Sequence, residues 1–183
     1  RLSLVGSEMC IRDSYRTRFS FDASIPELLL PLAYGKTIVV APDSRDVDAA
    51  LQLIAEHRID MVTMVPSLAN VMLAAAADLT GLAHVRRWLS VGEALPARTA
   101  RDLLGAAADA GGQLQLYNMY GPTEASVFTT GSRVLPEAVV GGSEKVSLGT
   151  PLAGCGIRIL QPGSPEPTPC LLYTSDAADD TPC

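Results

Sequence analysis

A chain of 183 residues, 48% of them hydrophobic, is long and apolar enough to bury a sizeable core. Its formal net charge of −6 argues against a nucleic-acid surface or an anionic-membrane surface as partner. No apolar run approaches the ~20 residues that span a bilayer, and residues 1–10 are too polar for a signal peptide.

The two ends are related through DNA. Met9-Cys10-Ile11-Arg12-Asp13-Ser14 can be encoded by ATG TGT ATA AGA GAC AGx, and the opposite strand, read one base over, encodes the Cys-Leu-Leu-Tyr-Thr found at residues 170–174. Two termini encodable by one inverted repeat resemble translated transposase adapter, so residues 1–14 and 170–183 are set apart as adapter-like and expected to be disordered. Residues 15–169 are expected to form a partial domain core, the interior of a longer protein. Three of the four cysteines fall in the flanks, which leaves Cys155 and no disulfide framework. A single thiol fits a reducing compartment, and a cytoplasmic location is expected. Within residues 15–169 there are 12 Lys and Arg against 15 Asp and Glu, a net charge of −3.

Residues 36–41 (KTIVVA) form a β-branched run closed by Pro42-Asp43-Ser44, which reads as a buried strand ending in a turn. Asp46 can cap the helix that follows, in which Val47, Leu51, Ile54 and Ala55 recur at helical spacing. Residues 61–65 are strand-like, and Pro66-Ser67 opens a helix with Leu68, Val71, Met72 and Ala75 on one face. A strand over 86–91 feeds Gly92, an alanine-rich helix over 96–110 stops at Gly111-Gly112, and 113–120 is the next strand. This alternation predicts an α/β fold, a mostly parallel sheet with helices on its faces. Beyond Thr130 the periodicity weakens: 139–147 reads as loop, 156–160 as one more strand, and 161–169 as proline-rich and irregular.

The segment Leu116-Tyr117-Asn118-Met119-Tyr120-Gly121-Pro122-Thr123-Glu124-Ala125 is the most informative. An apolar strand ends at Gly121-Pro122, because proline cannot donate to a sheet ladder and glycine accepts a sharp bend. In open α/β sheets ligands bind at that end of the strands. Thr123 can donate to a phosphate oxygen, Glu124 can offer hard oxygens to Mg²⁺, and Tyr120 can stack on a purine. The segment resembles the Tyr-Gly-Pro-Thr-Glu core motif of adenylate-forming enzymes, in the form found in adenylation domains of nonribosomal peptide synthetases. Three further segments resemble that family in order: Phe21-Asp22-Ala23-Ser24, Gly92-Glu93-Ala94-Leu95 and Leu148-Gly149-Thr150-Pro151-Leu152.

The resemblance covers nearly all of residues 15–169 and implies the large N-terminal portion of an adenylate-forming enzyme. The complete enzyme would be an ATP-dependent ligase that makes an aminoacyl adenylate and loads a phosphopantetheine carrier, with carrier and condensation domains as partners. Thr123 and Glu124 would be catalytic, Glu124 holding the metal; Gly92, Glu93, Asn118, Tyr120, Gly121 and Thr123 would face the nucleotide. The substrate pocket carried over is Asp22, Ala23, Pro26, Thr63, Leu89, Val91, Met119, Val127 and Phe128, with Asp22 on the substrate ammonium. Apart from Asp22 and Thr63 it is apolar, so a hydrophobic amino acid is expected. Val91 stands where the family has a glycine. The family's phosphate loop would precede Tyr15, and its ribose-binding aspartate and mobile lysine would follow Pro169, so this segment alone is expected to be inactive. The alternatives are an acyl- or aryl-coenzyme A synthetase, disfavoured by Asp22, and a non-catalytic nucleotide-binding scaffold.

Other patterns carry no site. Leu30 stands where a P-loop ending at Gly35-Lys36-Thr37 needs its first glycine, so that triplet reads as a strand entrance. Gly154-Cys155-Gly156 lacks the third glycine of a dinucleotide fingerprint and reads as a turn. His57 and His84 read as surface or capping residues.

Overall fold

A computed structural model describes residues 12–41, 46–76, 78–139, 144–161 and 163. Seven strands form one sheet in the order β2-β1-β3-β4-β5-β6-β7. They are β1 (Arg12–Tyr15), β2 (Thr37–Val40), β3 (Met61–Met64), β4 (Arg87–Ser90), β5 (Gln115–Tyr120), β6 (Thr130–Val134) and β7 (Thr150–Pro151). Strands β1 to β5 pair in parallel, and β6 and β7 add antiparallel to the far edge. The crossovers carry helices α1 (Ser24–Ala33), α2 (Val47–His57), α3 (Pro66–Ala75) and α4 (Ala97–Asp109). The expected α/β fold with a mostly parallel sheet is the one formed.

Local chemistry sets the helix starts. The Asp46 carboxylate accepts the Ala49 N–H at 2.9 Å and so caps α2. Pro66 occupies the first turn of α3, where a missing N–H costs nothing. Period-two alternation along the strands sends side chains to opposite faces. Val62, Met64, Trp88 and Leu116 go to one face, where Leu53, Ile54, Met72, Ala100 and Leu103 of α2, α3 and α4 cover them and make the main core. Leu89, Val91, Tyr117 and Met119 make a smaller cluster on the other face, joined by Met61, Phe128 and Leu152. Trp88, 1% exposed and beside Leu116 in the β4–β5 register, sits in the middle of the larger core.

Several expectations need correction. The run at 36–41 forms β2, but at the sheet edge with Val40 67% exposed, so it is not a buried strand. The buried face of α3 is Pro66, Ala69 and Met72, with Val71 exposed, one step round the helix from the expected stripe. Residues 156–160 form no strand beyond a single bridge at Leu160, and Ile157, Ile159 and Leu160 are exposed. Helix α1 was not anticipated, because Pro26 and Pro31 mask its pattern, nor was β6.

The expected boundary after Ser14 runs through a strand. Arg12, Asp13, Ser14 and Tyr15 pair with Thr37, Ile38, Val39 and Val40, and Asp13 also pairs with Met61. Backbone pairing is indifferent to side-chain identity, and it places Arg12–Tyr15 between two strands. Residues 1–11, the expected turn at Pro42-Asp43-Ser44 and residues 170–183 lie outside the described residues. Among the described residues no helix is long and apolar enough to cross a membrane.

Candidate functional site

The parallel strands β3, β4 and β5 end on the same side of the sheet, and their exits converge with the turn after β1. Together they enclose a cavity of about 400 Å³. Thr17, Phe21, Asp22 and Ala23 come from the β1–α1 turn, Thr63 to Val65 from the end of β3, and Val91 to Glu93 from the end of β4. Met119 from the end of β5, and Gly121, Val127 and Phe128 from the β5–β6 connection, close the wall.

Each approach has a local cause. After β4 the chain turns at Gly92, whose φ of +79° suits glycine. After β5 it makes the Gly121-Pro122 bend, a single 3₁₀ turn (Thr123–Ala125), and two residues of positive φ, Ser126 at 65° and Val127 at 73°. A β-branched residue there is a backbone outlier, and Val127 is on the cavity wall. The returning backbone lies directly on Gly121: a Cβ would come within 2.8 Å of both the Phe128 Cα and the Thr129 nitrogen, and closer still to the Val127 oxygen. Thr129 then restores the ladder, its N–H donating to Tyr120 O at 2.8 Å.

Of the expected substrate-pocket residues, Asp22, Ala23, Thr63, Val91, Met119, Val127 and Phe128 share this one wall. Pro26 and Leu89 do not. Pro26 is half-buried in the first turn of α1, and Leu89 lies in the apolar cluster with Val91 and Met119. Asp22 is half-buried, and α1 begins after Ala23 with no side-chain cap bond, so its carboxylate is not spent on capping the helix.

Of the expected nucleotide-facing residues, Gly92, Glu93 and Gly121 line the cavity; Tyr120 is 47% exposed at the end of β5, and Thr123 and Glu124 stand exposed on the turn beyond. Asn118 differs. Its side chain is 1% exposed, and its Nδ2 donates to Ser147 O at 2.9 Å and Val146 O at 3.3 Å, tying β5 to the segment before β7. Asn118 is therefore off the cavity wall. Glu93 also carries a structural contact: its carboxylate accepts the Ser67 N–H at 3.0 Å and the Ser67 hydroxyl at 2.8 Å.

No group of three or more His, Cys, Asp or Glu suited to a metal exists among the described residues. Mg²⁺ is ordinarily held by one or two carboxylates together with substrate phosphates, and a lone exposed Glu124 beside the Thr123 hydroxyl fits that arrangement.

One residue of this region was missed from the sequence. Glu27, 3% exposed in the first turn of α1, accepts the N–H groups of Arg16 at 3.0 Å and Thr17 at 2.9 Å, and the Thr17 hydroxyl at 2.6 Å. Burial raises its pKa, while the bonds from Thr17 and Arg16 pull it back down. The spacing Ser24-Ile25-Pro26-Glu27 was the available signal, since it has the form of a capping box.

A larger cavity of about 820 Å³ lies between α3 and α4. Most of its polar side chains are already engaged: Thr99 donates to Asn70 at 2.8 Å, Arg98 pairs with Asp102 at 3.5 Å, and Arg101 donates to Val139 O at 2.7 Å. None of the expected site residues lines it.

The family described as AMP-binding enzyme matches residues 15–171, and the chain belongs to it. Over 149 residues it is 35% identical to L-proline--[L-prolyl-carrier protein] ligase of Streptomyces coelicolor, covering 78% of this chain and 26% of that protein. It is 32% identical to indigoidine synthase of Dickeya dadantii, also over 149 residues, covering 79% of this chain and 10% of that one. The solved structure of PA1221, a nonribosomal peptide synthetase protein containing adenylation and carrier domains, superposes with a TM-score of 0.72 at 26% identity, covering 84% of this chain and 30% of that one. The chain thus spans about a quarter or less of the length of these two curated relatives.

Proposed function

We propose that this segment forms the substrate-facing floor of an adenylation domain that activates an α-amino acid. The substrate carboxylate attacks the α-phosphate of ATP, forming an acyl–phosphate bond and releasing pyrophosphate. The acyl group then passes to a carrier-domain thiol, and AMP leaves. The observation that carries the reading is that Asp22 shares one cavity wall with Val91, Met119, Val127 and Phe128 at the C-terminal ends of parallel strands, with Thr123 and Glu124 on the adjoining turn. A carboxylate in an apolar pocket favours a cationic group, and an acid lacking the amine leaves it unpaired.

In this reading Asp22 orients the substrate ammonium, and the apolar wall selects a hydrophobic side chain. Tyr120 stacks on the adenine, Gly92 lets the backbone approach it, and the Thr123 hydroxyl donates to a phosphate. Mg²⁺ held at Glu124 supplies charge neutralisation for the phosphates. Asn118 acts at second hand by anchoring the end of β5. The carrier-protein ligase and the adenylation-plus-carrier structure among the relatives support a phosphopantetheine carrier as partner.

The test is Asp22→Asn in the full-length protein, with kcat/KM measured for matched α-amino and α-hydroxy acids. Removing one partner of a buried charge pair costs ~3–5 kcal/mol, and half-burial of Asp22 reduces this, so a loss of about a hundredfold is expected for the amino acid. The hydroxy acid should be little affected. An equal loss on both substrates would favour an acyl-coenzyme A synthetase.

A further inference from the structure

We infer that Glu27 is a positioning residue for amino-acid recognition: its buried carboxylate closes the base of the loop that carries Asp22 into the cavity. The inference rests on the reading of Asp22 as the ammonium partner.

The geometry is a clamp. The chain leaves β1 at Tyr15, and the next two residues are fastened to the first turn of α1 through one carboxylate. Arg16 N–H donates at 3.0 Å, Thr17 N–H at 2.9 Å and the Thr17 hydroxyl at 2.6 Å. Between Thr17 and α1 lie residues 18–23, folded back by short-range bonds: Phe21 N–H to Arg18 O at 2.9 Å, Ser24 N–H to Phe21 O at 3.0 Å, and Ile25 N–H to Asp22 O at 2.9 Å. Thr17 and Asp22 both lie on the cavity wall. Both ends of the loop therefore refer to Glu27, one through hydrogen bonds and the other through the helix on which it sits.

Phe19 is 78% exposed and Phe21 64% exposed, so apolar packing within the described residues does little to hold this loop. Three bonds to a single buried carboxylate supply what packing does not. Hydrogen bonds to a charged acceptor are stronger than neutral ones, and at 3% exposure water competes poorly for the oxygens. Glu27 does not line the cavity. It acts on the substrate through the placement of Asp22.

Glu27→Gln keeps the volume but replaces one acceptor oxygen with an N–H₂ group that faces donors. In the full-length protein it should lower the preference for an α-amino acid over the matched α-hydroxy acid, expressed as a ratio of kcat/KM, about tenfold, equivalent to one charge-assisted hydrogen bond. The KM for ATP should stay within about twofold. Thr17→Val, which removes one of the three bonds, should move the ratio in the same direction by roughly threefold, and it serves if the glutamine variant does not fold. In an Asp22→Asn background Glu27→Gln should have no further effect on the ratio, because there is then no charged contact to misplace.

If Asp22→Asn abolishes the preference and neither Glu27→Gln nor Thr17→Val alters it, Glu27 is only structural and the inference is overturned. If Asp22→Asn itself leaves the preference intact, the ammonium-binding reading fails and takes this inference with it.

Discussion

Glu93 accepts two hydrogen bonds from Ser67, at 3.0 Å from the backbone N–H and 2.8 Å from the hydroxyl, which ties the exit of β4 to the first turn of α3. A carboxylate there satisfies an N–H that has no partner within the helix and sits at the positive end of the helix dipole. Two walls of the cavity, from β3 and β4, are thereby held together by an exposed contact rather than a buried one. Glu93→Ala should cost ~0.5–2 kcal/mol, the range of a lost helix cap. Urea denaturation followed through Trp88, the sole tryptophan, measures it directly. A variant as stable as the parent would show that the Ser67 contact contributes nothing in solution.

Asp13 concentrates the cost of β1. It is 5% exposed within a parallel sheet, and among the described residues neither its Oδ1 nor the Ser14 hydroxyl beside it has a hydrogen-bond partner. Burial first, then the neighbouring Asp60, raise the Asp13 pKa from the ordinary 3.8 to about 7; Arg87 opposes them, and Glu27 and Lys36 act more weakly in opposite directions. Because the folded-state pKa is raised, the group's contribution is fully present below about pH 4 and is lost as pH rises to about 7. Asp13→Val suits a strand buried on both faces and should stabilise the chain at pH 8 by up to ~4 kcal/mol, three pKa units at 1.36 kcal/mol each, with less if the site relaxes. The gain should shrink toward pH 4. Urea midpoints of both proteins across that range test this, and a gain independent of pH would remove Asp13 as the titrating group.

Strands β2 to β5 and helices α2, α3 and α4 were readable because each carries an uninterrupted period and an end signal, such as Asp46 or Pro66. Helix α1 was hidden by two prolines, and β6 by Gly131 and Ser132, small residues that give no alternation. Strand β1 is masked by residues that read as adapter, and it pairs through backbone groups that no side-chain pattern reports. The cavity was legible through short motifs at strand ends. Glu27 was not, since its partners lie 10 and 11 residues away across a loop whose path the sequence does not reveal. The burial of Asn118 follows from its sharing a sheet face with Leu116, a consequence of strand alternation that the motif reading passed over.

Gly121 is needed for packing rather than for an unusual φ. The backbone of residues 127–129 returns so closely that an added Cβ would sit 2.8 Å from the Thr129 nitrogen. Gly121→Ala must push this loop away from β5, a strain of ~1–3 kcal/mol, and move Val127 and Phe128 on the cavity wall. The expected outcome is a lower urea midpoint together with, in the full-length protein, a higher KM for the amino acid. An unchanged midpoint would mean that the loop lies farther from Gly121 than this geometry places it.

Val91 offers the most direct test of what the cavity selects. It is 6% exposed, lies on the wall shared with Met119 and Phe128, and packs with Leu89, Tyr117 and Met119 beneath it. Val91→Gly removes a whole side chain from that wall. If the wall faces the substrate side chain, the vacated space admits a longer apolar group. Each methylene gained or lost in such a pocket shifts selectivity by ~1–3 kcal/mol, or roughly 10- to 200-fold. Stability will also fall, by the ~2–5 kcal/mol typical of a large-to-small core change, so the comparison must be a ratio of substrates within one protein. In the full-length protein, kcat/KM for a larger apolar amino acid relative to a smaller one should rise at least tenfold. An unchanged ratio, in a variant that still folds and turns over, would place the substrate side chain elsewhere and remove Val91 from the selectivity wall.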